Sequence, residues 1–513
     1  MPISSTTGLA NPSVSLGLTA PTDFTTTFPF IDLMKTAREA FFGYENAAYF
    51  DSYLDENGWA HTVPDTGPIT YHFDWGSFVA QDDSGALLYP QLVANQSGAY
   101  VLEYRGEGAI EVRTSAATYR DDDDDGRIEF TVAPDEITQS GETVFGFDIV
   151  ITATGAGADH DPDTPSHLRD ISLVRAHHEE LFHAGAVFNP EWLEVVSDFR
   201  QVRFMDWAQT NNSTVQTLDD LPTPDSASWA AGVPIEVQVA LANQIGADPW
   251  FCIPHGLDAE GTRALVEYVR DTLDPELVPT FEYSNEVWNP IFAQTRFVQD
   301  RAVDWFGDAA YLTDPETGAY VLDGEGAPIV SYYATINAQM VLATQTAQIV
   351  AEVYSETPEL EYVNTIGLNT GLGGSADVMD QYLFAPMWQA ASHPDLPDFT
   401  PPHTAFDTVA ATSYFGGGLL DEHLDAFRLA VSDPTVDIQD WLADYVMGRN
   451  ADFTNPETGE IGITGSVPHL LDTLQAVSDS IAEAGLDLGL TLYEGGQHLI
   501  HETPFLWDIA TDA

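Results

Sequence analysis

The chain has 513 residues, of which 44% are hydrophobic and 11% aromatic, so it can bury a large core, and this composition excludes global disorder. It carries 81 acidic against 16 basic residues, a formal net charge of −65, which argues against nucleic acid and anionic membranes as partners. Lys35 is its only lysine. Such an acidic, lysine-poor composition resembles that of proteins from saline surroundings, whose hydrated carboxylates keep them soluble.

The number of cysteines and the absence of obvious targeting segments limit the cellular locations to be considered. Cys252 is the only cysteine, which rules out an intramolecular disulfide and a thiolate metal cluster. No stretch reaches the ~18 apolar residues of a membrane span, and the first residues lack the basic start and apolar core of a secretory signal. We expect an extracellular protein of a saline environment, exported by a leaderless route or trimmed of its leader; the sequence leaves the oligomeric state open.

Residues 1–57 read as the first strand and helix of an α/β domain. The strand is "VSLGLT" at 14–19, and the apolar spacing of "FPFIDLMKTAREAFFG" at 28–43 predicts a helix. Residues 58–175 then show short alternating runs separated by Gly, Asp and Ser turns about every ten residues, the pattern of an antiparallel β-sandwich. The sequence therefore predicts a β-sandwich inserted after the first barrel strand.

Two acidic stretches of the predicted sandwich, "RDDDDDGR" at 120–127 and "ADHDPDTPSH" at 158–167, are rich in oxygen ligands. They could bind a structural Ca²⁺, but neither has EF-hand spacing, and solvated loops are the favoured interpretation. We expect no cofactor.

Residues 176–513 alternate between helical and strand patterns, which predicts a parallel sheet covered by helices. Counting "VSLGLT" first, "QVRFMDW" second and "YEGGQHL" last gives seven strands, one short of a (β/α)₈ TIM-type barrel. The eighth unit is missing or truncated in this pattern, or the barrel is completed in an unusual way.

Polar residues follow the predicted strands at the end where a parallel barrel carries its working groups. They are Arg203, Asp206 and Trp207; His255; Asn285, Glu286 and Trp288; Asn364 and Asn369; Tyr414; and Glu494, Gln497 and His498. Glu286 and Glu494 end the fourth and seventh strands. Glycoside hydrolysis requires such a pair, one acid to protonate the leaving oxygen and one carboxylate to attack or to activate water.

The phrase "YSNEVWN", followed about 200 residues later by "LYEGG", resembles clan A of the glycoside hydrolases, retaining enzymes with a (β/α)₈ barrel. The phrases "PFIDLMKTAR", "VRFMDWAQTNNS", "ANQIGADPWFCIPH", "FEYSNEVWNP" and "LYEGGQHL" are more similar still to a poorly characterised group of such proteins, labelled only as glycosidases or cellulose-binding proteins. The resemblance covers the barrel and the intervening β domain. The clan's usual strand-eight tryptophan has no counterpart here, since Trp507 lies too close to the seventh strand.

The resemblance implies Glu286 as acid/base and Glu494 as nucleophile. It further implies that Asn285 binds the sugar 2-hydroxyl, that Arg203 holds the nucleophile ionised and that Tyr414 orients it. His255 would line the site, as would Gln497 and His498. Trp207, Trp250 and Trp288 are candidate sugar platforms.

Less specific interpretations remain for these residues. The aromatic residues could be ordinary core, His255 a strand-end histidine and Arg203 the partner of Asp206. A metal at His498 and His501 is disfavoured because their spacing is not that of a helical HExxH motif.

The residues favour a glycosidase acting on a β-linked poly- or oligosaccharide. The alternative is a non-catalytic carbohydrate-binding protein, with the sandwich as binding module and an incomplete barrel as scaffold. A polysaccharide lyase is less favoured because basic groups are scarce.

Overall fold

The computed structural model describes residues 11–38, 51–75, 90–123, 125–133, 146–155, 166–369, 376–416, 423–454, 461–463 and 465–497. The chain divides into two compact units. Unit 1 comprises Met1–Thr210, Thr214–Trp250 and Gly256–Leu277, and unit 2 comprises Asn211–Ser213, Phe251–His255 and Val278–Ala513.

The described strands, numbered in chain order, are β1 (Asn11–Gly17), β2 (Ile69–Asp74), β3 (Gly98–Arg105), β4 (Gly108–Thr114), β5 (Thr118–Arg120), β6 (Arg127–Val132), β7 (Gly146–Thr154), β8 (Arg169–Arg175), β9 (Phe199–Arg203), β10 (Asp248–Ile253), β11 (Thr280–Tyr283), β12 (Val363–Gly367), β13 (Thr408–Phe415) and β14 (Gly489–Gln497). The described α-helices are α1 (Pro90–Gln96), α2 (Glu179–His183), α3 (Pro190–Val196), α4 (Ile235–Ile245), α5 (Ala259–Thr272), α6 (Ala293–Phe306), α7 (Tyr332–Tyr354), α8 (Ala376–Phe384), α9 (Pro386–Ala390), α10 (Leu424–Ser432), α11 (Ile438–Val446) and α12 (Val467–Glu483).

Unit 1 contains two antiparallel sheets, of order β2-β7-β4-β5 and β6-β3-β8. Residues alternate along β2, where Ile69, Tyr71 and Phe73 are buried and the residues between them are partly exposed. The buried side chains of both sheets form one aromatic core, in which Tyr100 stacks on Phe130 with ring centroids 5.3 Å apart. These sheets lie within the range 58–175; their designation as an inserted sandwich domain, with these boundaries, stays a prediction.

The stretch predicted as a helix at 28–43 has a different structure in its described part. Only Leu33–Thr36 form a 3₁₀ turn, preceded by strand-like bridges from Phe30 to Phe188 and from Asp32 to Val174. The Asp32 carboxylate accepts hydrogen bonds from the backbone N–H groups of Met34 and Leu173, at 3.0 and 2.8 Å. The apolar spacing therefore reflects packing beneath β8 and not a helix face.

Lys35 lies within this turn and is partly buried. Its Nζ donates to the carbonyl oxygens of Ser226 at 2.6 Å and Pro224 at 3.3 Å, and lies 4.9 Å from the centre of the Trp229 ring. Burial lowers the pKa of the amine, although the nearby Asp32 acts in the opposite direction. The only lysine thus holds the 224–229 loop against the first segment of unit 1.

The remaining seven strands are parallel and are ordered β1-β9-β10-β11-β12-β13-β14. In unit 1, β1 and the start of β10 flank β9. In unit 2, β11, β12, β13 and β14 pair in sequence order. The chain forms helices between these strands, and this is the strand order of an α/β barrel, as predicted. Residues after Gln497 lie outside the described part of the chain.

The helices of unit 2 form its core. Helix α7 is capped by the Ser331 side chain and is buried on most sides, against α6, α8 and β11. A smaller cluster around Phe427, Trp441 and Tyr445 joins α10 and α11. Among the described residues, no helix is long and apolar enough to cross a membrane.

Candidate active site

The end of β11 has a strained backbone. Ser284 and Glu286, on either side of Asn285, have positive φ angles of 58° and 40°. Such angles are uncommon for residues with a side chain, cost about 1–3 kcal/mol each, and cluster at functional sites. The Ser284 N–H donates to the carbonyl of Ile253 at 2.8 Å, which fixes this turn to the end of β10. Asn285 and Glu286, which the sequence singled out, therefore lie in a strained turn.

A buried network of side-chain amides holds Asn285. Its Nδ2 donates to Asn211 Oδ1 at 3.1 Å, and Gln294 Nε2 donates to that same oxygen at 2.7 Å and to the Asn285 carbonyl at 2.8 Å. Gln294 Oε1 accepts from the Asn212 N–H at 3.0 Å. Asn285 is 2% exposed and Gln294 is fully buried. Because these amides satisfy one another away from water, the network is rigid.

Both carboxylate oxygens of Glu286 accept hydrogen bonds. Asn289 Nδ2 donates to Oε2 at 2.9 Å, and the Tyr493 hydroxyl donates to Oε1 at 3.1 Å. The latter bond joins the turn after β11 to β14. Glu286, Asn289 and Tyr493 thus form one hydrogen-bonded constellation within unit 2, and Glu494 is the residue that follows Tyr493.

A register shift interrupts the pairing of β13 with β14 beside Glu494. Ala411 on β13 pairs with Leu492, whereas Thr412 pairs with Glu494, so Tyr493 is an extra residue in β14. Such a bulge bends the strand and re-aims a side chain. The Tyr414 hydroxyl donates to Glu494 Oε2 at 2.6 Å.

His255, after β10, is 8% exposed, and its ring lies edge-on to Phe297 with centroids 5.0 Å apart. Its carbonyl accepts a hydrogen bond from the hydroxyl of the buried Tyr283 at 3.0 Å. Burial lowers the pKa of the imidazole, so the ring is neutral at pH 7. Within the described residues, its Nδ1 has no hydrogen-bond partner.

The three tryptophans differ in their surroundings. Trp288 is partly exposed and meets the Tyr382 ring edge-on at 6.5 Å. Trp207 and Trp250 are each 1% exposed and belong to unit 1. Trp207 stacks on Trp192 at 5.9 Å and donates its ring N–H to the Thr19 carbonyl. Burial favours the core interpretation for Trp207 and Trp250, and only Trp288 offers ring surface.

The remaining candidates are placed as follows. Arg203 is 2% exposed in unit 1, with its guanidinium 5.5 Å from the centre of the Trp250 ring. Gln497 is exposed at the end of β14, opposite Phe415. His498 lies outside the described residues.

Some residues around the glutamates were not singled out by the sequence. The position of Tyr493 cannot be predicted without knowing that β14 contains a bulge. Gln294 lies in α6, and the apolar pattern of that helix does not indicate a contact with Asn285. Asn289, three residues after Glu286, could have been found from its spacing. Glu282 is a buried carboxylate on β11 whose Oε2 lies 3.4 Å from Cys252 Sγ; a Cβ at Gly367 would come within 2.7 Å of its Oε1.

The acidic stretch at 120–127 stabilises its own turn. Asp121 accepts hydrogen bonds from the Tyr104 hydroxyl at 2.8 Å and from the Gly126 N–H at 2.8 Å. Most of the stretch 158–167 lies outside the described residues. Where the structure describes the chain, groups of three or more potential metal ligands lie elsewhere, at His177, His178 and Glu191 and at Glu103, Glu179 and His183.

Comparison with known proteins gives weak similarities. No family model and no curated protein matches the sequence. Among solved structures, a double mutant of the β-glucosidase from Trichoderma harzianum is 10% identical with a TM-score of 0.25, the match covering 59% of this chain and 76% of that one.

Two further structures are similar to the same degree. A β-glucosidase from the fungus Humicola insolens in complex with glucose is 13% identical, with a TM-score of 0.24 and coverage of 59% and 76%. A modular endo-β-1,4-mannanase from Cellulomonas fimi is 14% identical, with a TM-score of 0.23 and coverage of 61% and 62%. The function proposed for this chain therefore depends on the geometry of its own site.

Proposed function

We propose that the protein is a retaining glycoside hydrolase that cleaves a β-linked poly- or oligosaccharide. One observation carries the proposal: Tyr493, whose hydroxyl donates to Glu286, directly precedes Glu494 in β14, and Glu494 accepts a hydrogen bond from Tyr414. Glycosidases use two carboxylic acids across the scissile bond, and the positive φ angle of Glu286 is a strained position of the kind that clusters at functional sites.

In the first step, the Glu494 carboxylate attacks the anomeric carbon while Glu286 gives its proton to the leaving glycosidic oxygen. The carbon–oxygen bond breaks and a glycosyl ester of Glu494 forms. In the second step, Glu286 takes a proton from water, whose oxygen displaces Glu494 and restores the free enzyme. Glu286 performs both proton transfers and Glu494 forms and releases the glycosyl ester, so the reaction needs no cofactor.

The surrounding side chains serve as positioning groups in this proposal. Tyr414 fixes the attacking oxygen of Glu494, and the amide network holds Asn285 where it can bind the sugar 2-hydroxyl. Trp288 is the preferred ring platform because its face is not fully covered. His255 and Gln497 line the site in this proposal.

The proposal has two narrower parts. They concern the β-sheets of residues 58–175 and the acidic composition of the chain. We assign the sheets to an inserted sandwich domain. The charge of −65 supports an extracellular protein that works in saline surroundings.

The test is hydrolysis of a panel of aryl β-glycosides and of β-linked glycans by the full chain, in high salt. We expect Glu494→Ala to abolish turnover. Glu286→Gln should abolish it for glycans but spare the burst of phenol from aryl glycosides with good leaving groups, because those need no proton donor.

The exposed Glu359→Ala and Glu359→Gln variants are the matched controls and should retain full activity. Turnover unaffected by Glu494→Ala would overturn the assignment of the nucleophile. Glycan binding without turnover by the unmodified chain would instead favour a non-catalytic carbohydrate-binding protein.

A further inference from the structure

Unit 1 contains a cavity of about 520 Å³, remote in the chain from the glutamate pair. It is lined by the aromatic rings of Trp192 and Trp207 and by polar side chains that include Asn95, Gln96 and Asn189. His178 and Glu191 also belong to its wall. Neither residue has a role in the reaction proposed above.

His177, His178 and Glu191 are brought together by two short elements. The histidines lie in a 3₁₀ turn directly after β8, and Glu191 lies in the first turn of α3. The nearest ligand atoms of all three side chains lie within 4.8 Å of one another. The imidazole rings of the two histidines are packed with centroids 4.1 Å apart.

One of these separations already matches metal coordination. His178 Nε2 lies 3.3 Å from Glu191 Oε2. Around a tetrahedral Zn²⁺ with bonds of about 2.0–2.1 Å, adjacent ligand atoms are about 3.3 Å apart. His178 is buried, with 6% of its side chain exposed, whereas the Glu191 side chain is 66% exposed and can adjust to an ion.

Arg175 directly precedes the turn that carries the two histidines. Its guanidinium donates to Gln96 Oε1 at 3.3 Å.

A second cluster in unit 1 has similar residues but a different partner. Glu103, Glu179 and His183 also bring their ligand atoms within 4.8 Å. There, however, Arg127 Nη1 donates to both glutamates, each at 2.7 Å. The guanidinium already supplies the positive charge that a metal would bring. In the cluster of His177, His178 and Glu191, the ion pair joins two of the candidate ligands themselves, His178 and Glu191.

We propose that His177, His178 and Glu191 form a binding site for a divalent transition metal, with Zn²⁺ as the ion that best suits two imidazoles and one carboxylate. Three protein ligands leave a fourth coordination position for water or for an oxygen of a molecule in the adjoining cavity. Ca²⁺ and Mg²⁺ are poor candidates because they prefer sites made of oxygen ligands.

The experiment is calorimetric titration of the full-length, untagged chain with Zn²⁺ after treatment with a chelator. Excess Mg²⁺ is present throughout, because the acidic surface binds divalent ions weakly and Mg²⁺ occupies those carboxylates. We expect one equivalent of Zn²⁺ bound in the presence of Mg²⁺, and a visible Co²⁺ spectrum typical of tetrahedral coordination.

His177→Ala and Glu191→Gln change exposed side chains, so both variants should fold, and each should weaken Zn²⁺ binding at least tenfold. His183→Ala, in the cluster neutralised by Arg127, is the matched control and should leave the affinity unchanged. The proposal is overturned if no equivalent of Zn²⁺ binds, if both ligand variants bind as the unmodified chain does, or if His183→Ala causes the same loss.

Discussion

The ends of β11 and β14 carry the two glutamates but are built in opposite ways. At the end of β11, Asn285 and Ser284 are buried, the backbone is strained, and an amide network fixes the turn. Along β14, Leu490 and Leu492 are 36% and 42% exposed, and the hydrogen bonds of the Tyr493 and Tyr414 hydroxyls accompany the bulge.

The difference indicates which glutamate the fold holds rigidly. A buried, mutually satisfied network costs several kcal/mol to disrupt, whereas a single hydrogen bond at a partly exposed strand contributes about 1 kcal/mol. We infer that the geometry of Glu286 depends on the amide network and the Tyr493 hydroxyl, and that of Glu494 on the Tyr414 hydroxyl. The following substitutions test this contrast, in order of decreasing expected effect on the free energy of unfolding.

Gln294→Leu should have the largest effect. It removes three hydrogen bonds, to Asn211, to the Asn285 carbonyl and from the Asn212 N–H, and leaves the buried Asn285 carbonyl without this donor. We expect a loss of about 3 kcal/mol in the free energy of unfolding, measured by urea denaturation. Gln348→Leu, at an exposed glutamine with one hydrogen bond to Thr400, should change it by less than about 0.5 kcal/mol. Equal losses in both variants would contradict the rigid network.

His255→Gln should change the pH dependence of stability. Because burial lowers the pKa of His255, the folded state binds fewer protons than the unfolded state once the pH falls below the ordinary histidine range. The free energy of unfolding should therefore fall from pH 7 to pH 5. The fall should be smaller in the variant than in the unmodified chain, by up to about 1.4 kcal/mol per pH unit. The exposed His469→Gln serves as control. If the pH profile of His255→Gln coincides with that of the unmodified chain, the imidazole is not protected from protonation.

Tyr493→Phe removes the hydrogen bond that links the two strand ends. We expect about 1 kcal/mol of lost stability and a fall in kcat with little change in KM, because the acid is misplaced and the sugar contacts remain. Tyr333→Phe, at an exposed tyrosine, should change neither quantity. A rise in KM at constant kcat would instead assign Tyr493 to substrate binding.

Tyr414→Phe should have the smallest effect on stability and a clear effect on turnover. Tyr414 is 37% exposed, so the loss of its hydroxyl should change the free energy of unfolding by less than about 0.5 kcal/mol. Its bond to Glu494 holds the attacking oxygen, so kcat should fall about tenfold. A thermal melt and steady-state kinetics of the same preparation measure both. Unchanged kinetics would show that Glu494 is oriented by other contacts.

The order of helices and strands could be predicted from the sequence because apolar runs of strand length alternate with helical patterns after residue 176. The same patterns singled out Glu286 and Glu494, since each is a carboxylate at the end of an apolar run; their catalytic roles stay a prediction. Both predictions depend on the regular spacing of apolar residues over short stretches of the chain, which can be seen in the sequence alone.

The contacts around the glutamates could not be predicted in the same way. The bulge at Tyr493 shifts the register by one residue, which a period of two cannot reveal. Gln294 bonds to Asn211, which lies 83 positions earlier in the chain. The helix expected at 28–43 failed because its apolar residues pack on strand partners distant in sequence.

The buried setting of Lys35 has a chemical consequence. A chain of 513 residues with one lysine offers amine-directed reagents a single side chain, and that amine is engaged by Ser226 and Pro224 beneath the Trp229 ring. Acylation at this position would require the 224–229 loop to separate from the first segment. The rate of acylation at Lys35 would thus report the opening of one loop, without interference from any other lysine.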